Sequence, residues 1–93
     1  MTARSLFMIH GMWGGAWCWG AFRQHFESAG FHCTVPTLPY HDVDPRDAPD
    51  PRLGQVSLLD YADALTTQIR ALDEPPILVG HSMGGLLAQI LAA

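Results

Sequence analysis

The chain has 93 residues, 48% of them hydrophobic and 15% charged, a globular composition and not a disordered, collagenous or disulfide-rich one. Five arginines and no lysine against nine acidic residues leave a net charge of −4, with no basic cluster to neutralise a run of phosphates, so nucleic acid is not an expected partner. No apolar stretch approaches the ~20 residues of a membrane span, and His10 and the glycines interrupt the N-terminal apolar segment, so the chain reads as a cytoplasmic protein of at most one domain with a thin core.

In chain order, Ser5 to Ile9 is an apolar run that stops at His10-Gly11 and a glycine-rich stretch, which predicts a buried strand followed by a turn. From about Ala16 to Ala29, Trp19, Phe22 and Phe26 recur at three and four with polar residues between them, and Gly30 follows as a stop signal, so a helix is expected there. Phe31 to Val35 is a second strand, ended by Pro36. Residues 36 to 55 hold most of the prolines, show no period and read as a surface loop. Ser57 and Asp60 have the spacing of a capping box, and Leu58, Ala62, Leu65, Ile69 and Leu72 continue as a helix that ends near Asp73, before Pro75-Pro76. Ile77-Leu78-Val79 is a third strand, and Gly80 to Gly85 turns into a helical segment from Leu86 to Ala93. Alternating β and α elements with strands apolar at consecutive positions indicate an α/β fold, a three-layer α/β/α arrangement around three parallel strands. Cys18 and Cys33 are too few for a disulfide framework and read as small buried thiols.

Chemistry concentrates in two glycine-rich segments. Gly80-His81-Ser82-Met83-Gly84 is a Gly-x-Ser-x-Gly pattern between a predicted strand and a predicted helix, the context in which the serine sits on a sharp elbow. Reversing a strand into a helix through one residue strains its backbone, so Gly80 and Gly84 are read as structural residues of the elbow that keep bulk away. Ser82 then presents its hydroxyl at a helix N-terminus, which favours developing negative charge and makes it the candidate nucleophile. An acyl-transfer site also needs two backbone donors for the oxyanion, and the N–H groups of Met83 and Met12 are the candidates. Gly11 lets the backbone approach a substrate, and Trp13 is a candidate substrate contact. Trp17 and Trp19 line an apolar acyl pocket or pack into the core, and the pattern leaves both open.

The runs Leu6 to Gly11, Gly14 to Trp19, Asp44-Pro45-Arg46 and Ile77 to Gly85 resemble the α/β-hydrolase superfamily, and within it the plant methyl esterase and hydroxynitrile lyase branch and its bacterial relatives. The resemblance covers essentially the whole chain. It implies a Ser-His-Asp triad that hydrolyses a small-molecule ester through an acyl-enzyme on Ser82, without cofactor or metal. The lyases of this branch place a hydroxylated Thr after the strand-end His, where this chain has Gly11, a departure that favours an esterase.

In this fold the acid and the base follow the nucleophile along the chain. Only eleven residues follow Ser82, none of them Asp, Glu or His. The expectation is that residues 1–93 are the N-terminal portion of one such domain, cut within the helix after the nucleophile and inactive alone. Upstream residues do not substitute: His10 reads as a loop-shaping residue, His81 points away along the elbow, and His25, His32 and His41 read as surface or core histidines. His41, Asp42 and Asp44 form a loop trio without a fourth ligand, so no metal is expected. A nucleotide-binding module fails on spacing, because Gly11, Gly14 and Gly15 do not make G-x-G-x-x-G. A non-catalytic binding or regulatory protein on a truncated hydrolase fold, and a lyase-type parent, remain as alternatives. The third strand is expected to leave an unpaired sheet edge, a route to self-association.

Overall fold

The computed structural model describes residues 4–42, 44 and 48–93. Strand β1 (Ser5–Ile9) lies between β2 (His32–Thr34) and β3 (Ile77–Gly80) in a parallel sheet of order β2-β1-β3. The register pairs Leu6 with both Cys33 and Ile77, and Ile9 with Gly80, which brings the ends of β1 and β3 level. Flanked by a strand on each side and covered on both faces, β1 is buried along its whole length, which is why its apolar residues are consecutive. Its side chains still alternate. Leu6 and Met8 pack with Trp19 and Cys33 on one face, and Phe7 and Ile9 with Leu38, Tyr61, Ala62, Leu65 and Leu87 on the other.

Helix α1 (Gly20–Ser28) lies on the first of these faces, where Phe26 joins that cluster. Helices α2 (Leu58–Arg70) and α3 (Met83–Ala92) cover the second face through Tyr61, Ala62, Leu65 and Leu87. The expected three-layer α/β/α arrangement of three parallel strands is therefore present. The first helical segment opens as a 3-10 turn (Ala16–Trp19), and α1 begins only at Gly20, because neither Gly15 nor Trp19 supplies a side-chain cap. Phe22, expected on the inner stripe, is exposed; Trp19 and Phe26, two turns apart, take that stripe. The proline-rich loop contains another 3-10 turn (Pro51–Gln55), started by Asp50, which accepts from the Arg52 N–H at 2.9 Å with Pro51 at the first position. Asp50 also pairs with the Arg52 guanidinium at 2.7 Å, which holds its carboxyl down at about 2.

The cysteines divide. Cys33 is buried, as expected, whereas Cys18 is exposed, because the 3-10 turn directs Trp19 and not Cys18 toward the sheet. No helix among the described residues is long and apolar enough to cross a membrane, and no group of metal-ligating side chains is found among them. Pro45 and Arg46 of the Asp44-Pro45-Arg46 run lie outside the described residues.

Candidate active site

The register places the C-terminal end of β1 beside the start of α3, and the two glycine-rich segments meet there. His81 donates its N–H to Ile9 O at 3.0 Å, which carries the sheet one step past β3 before the chain turns. Ser82 forms the turn itself, with φ 58° and ψ −120°, a region that side-chain-bearing residues rarely occupy. Gly84 N–H donates to His81 O and Gly85 N–H to Ser82 O, both at 2.9 Å, so the helix closes immediately behind the serine. The motif glycines have no room for side chains. A Cβ on Gly80 would run into the backbone of Gly84 and Gly85, and one on Gly84 into the carbonyl oxygens of Ile9 and His10. Both obstacles are backbone, which no rotamer change relieves.

Gly11 lies against the serine. A Cβ there would sit 3.1 Å from His81 O and from Ser82 Cβ, and 3.6 Å from Ser82 Oγ. Residues 11–14 form a tight turn closed by Gly14 N–H donating to Gly11 O at 3.1 Å, with Met12 and Trp13 exposed at its tip. The Met12 N–H and the Met83 N–H donate to no acceptor among the described residues. Both expected oxyanion donors are thus unspent, one in the turn beside Ser82 and one in the first residue of α3.

His10 fixes that turn from below. It is fully buried; its Nδ1 donates to Gly11 O at 2.7 Å, and its Nε2 accepts from the Leu38 N–H at 3.0 Å. A carbonyl partner on one nitrogen and an N–H partner on the other define a single neutral tautomer. Burial pushes the His10 pKa down, and the neighbouring His41, at 5.2 Å between ring centroids, adds to this against the opposing bond to Gly11. With both nitrogens committed, His10 has no free lone pair for a serine proton. The loop-shaping reading of His10 agrees with this geometry.

Of its two readings, surface or core, His41 takes the core one. It is buried, with Nδ1 bonded to Pro39 O at 3.1 Å and its ring between those of His10 and Tyr61. Sequence reasoning missed the partner of His10, the Leu38 N–H, because a backbone group 28 residues away leaves no mark in residue identity. The alternatives for the tryptophans separate: Trp19 is core, while Trp13 and Trp17 are exposed.

A family model described as the alpha/beta hydrolase family matches residues 6–93. The chain is 34% identical over 87 residues to Methylesterase 4 of Arabidopsis thaliana, covering 89% of this chain and 31% of that protein. It is 37% identical over 81 residues to Norfluorocurarine synthase 2 of a Strychnos species, covering 84% and 29%. Among solved structures, polyneuridine aldehyde esterase in a histidine-to-alanine variant superposes with a TM-score of 0.77 at 29% identity, over 97% of this chain and 34% of that one. A pyrethroid hydrolase from Sphingobium faniae JZ-2 gives 0.76 at 27% identity, over 98% and 34%. The chain therefore spans about a third of the length of the proteins it matches.

Proposed function

The chain belongs to the alpha/beta hydrolase family, and we propose that it carries the nucleophile and the oxyanion donors of a carboxylic ester hydrolase that works through an acyl-enzyme on Ser82. One observation carries the reading: Ser82 is held at a strained elbow at the start of α3, beside a residue without a side chain and two N–H groups without acceptors among the described residues. In the proposed reaction Ser82 Oγ attacks the ester carbonyl as its proton passes to a base. The carbonyl oxygen takes up the negative charge and is received by Met83 N–H and Met12 N–H. The C–O bond to the alcohol then breaks, the alcohol leaves with a proton, and water cleaves the acyl-serine to release the acid and restore Ser82. Gly11 supports an esterase over a lyase, because a hydroxylated side chain there would stand against Ser82, and this chain has none.

The described residues place no base beside Ser82. Among the described residues no imidazole hydrogen-bonds Ser82 Oγ, and His10 is committed at both nitrogens. The 93-residue chain by itself is therefore expected to turn over p-nitrophenyl acetate only slowly, since loss of triad members costs orders of magnitude while oxyanion donors retain a residual rate. The test is covalent labelling with a fluorophosphonate, located by mass spectrometry. The longest product of the reading frame that contains Ser82 is expected to label at Ser82 and hydrolyse small esters, both abolished by Ser82→Ala. Ester turnover that survives Ser82→Ala, or no label on Ser82 in that product, would overturn the proposal.

A further inference from the structure

Among the described residues, three that are not glycine have positive φ: Trp13 at 67°, Tyr40 at 64° and Ser82 at 58°. Ser82 is the elbow. Tyr40 has an offsetting contact, the Arg52 guanidinium 4.3 Å above its ring. Trp13 has none: its side chain is 61% exposed and makes no hydrogen bond or ring contact among the described residues. It occupies the third position of the turn closed by Gly14 N–H and Gly11 O, and positive φ at that position is where glycine costs least. The chain puts glycine at 11, 14 and 15 and its largest side chain at 13. No hydrogen bond or ring contact among the described residues offsets this choice, which combines a strained backbone with a mostly exposed indole.

What the indole does follows from its neighbours. The same turn begins at Gly11, whose missing Cβ faces Ser82, and two peptide steps put the Trp13 Cα within ~7.6 Å of the Gly11 Cα. Further along this loop the Trp17 indole lies against Gly15, where a Cβ would come within 2.7 Å of its Nε1, and is itself exposed. Neither residues 10–19 nor the start of α3 contains an Asp, Glu, Lys or Arg. We infer that Trp13 is a specificity-determining residue of the Ser82 site, an aromatic wall that selects esters bearing a broad, uncharged apolar or aromatic group. This rests on Ser82 being the nucleophile.

The test compares the rate constants for labelling Ser82 by a small methyl fluorophosphonate and by one carrying a naphthyl group, in the longest product that contains Ser82. Trp13→Gly is expected to lower the naphthyl-to-methyl ratio by about tenfold or more, and Trp13→Phe to keep most of it. Because glycine suits the backbone at this position, Trp13→Gly is also expected to unfold no more easily than the parent, which separates a lost contact from a damaged fold. An unchanged ratio, or equal slowing with both probes, would overturn the inference, the latter by reducing Trp13 to a shaper of the oxyanion turn. If neither probe labels Ser82 in the parent, the nucleophile assignment itself fails and the inference falls with it.

Discussion

At Ser82 the backbone holds a conformation that costs a residue with a Cβ about 1–3 kcal/mol, at φ 58° and ψ −120°. That strain has a measurable signature. Ser82→Ala keeps the Cβ and the strain, whereas Ser82→Gly relieves it and loses about 0.5–1 kcal/mol through the freer unfolded chain. Relief exceeds the entropic loss over most of this range, so Ser82→Gly is expected to be more stable than Ser82→Ala by about 1 kcal/mol in urea unfolding. Equal midpoints would mean that the elbow relaxes once the hydroxyl is gone and that no strain is stored there. The flanking glycines work in the opposite direction: at Gly80 and Gly84 a Cβ meets backbone, so the Cβ that is tolerable at 82 is not tolerable two residues either side.

Elements whose boundaries are set by neighbours in sequence were legible. The Ser57 hydroxyl accepts from Asp60 N–H at 3.2 Å and the Asp60 carboxylate accepts from Ser57 N–H at 2.9 Å, the reciprocal cap that their spacing indicates. The other end of α2 was misplaced: the helix stops at Arg70 and not near Asp73, where two acids beside the negative end of the dipole disfavour another turn. Contacts between distant elements were not legible, and His10 is the clearest case, since it ties the end of β1 to the loop after β2 through a backbone N–H. This tie makes stability depend on pH. In the unfolded chain His10 takes up its proton near the usual 6.5, while in the folded chain burial holds its pKa lower. Between these values the unfolded state binds more protons, so stability falls as pH drops below about 6.5 toward the folded pKa, and His10 contributes no slope above that range. His10→Gln, which can still accept from Leu38 N–H but does not titrate, is expected to flatten this slope. Urea midpoints measured across the acid range check it, and an unchanged slope would assign the effect to other groups.

On the scale of the whole molecule, the sheet is closed by pairing only around β1. Strand β2 is a short edge of three residues, soon ended by Pro36, the kind of edge that resists further pairing. Strand β3 is the other edge, and its outer side has no partner strand among the described residues. It is also less covered than β1, with Ile77 44% exposed. Leu86 on α3 and Leu58 and Leu59 on α2 add apolar surface that the described residues leave uncovered. Mutual repulsion from a net charge of −4 opposes association only weakly, and salt screens it. The isolated 93-residue chain is therefore expected to self-associate as concentration rises, more so at high salt, as read by sedimentation or by light scattering on a sizing column. Ile77→Lys places a charge at the half-exposed start of the edge strand, opposite Leu6 in the register, and is expected to shift the population toward monomer while keeping the helical circular dichroism. A chain that is monomeric at all concentrations, or an Ile77→Lys variant that associates as strongly as the parent, would show that the β3 edge is not the surface through which copies meet.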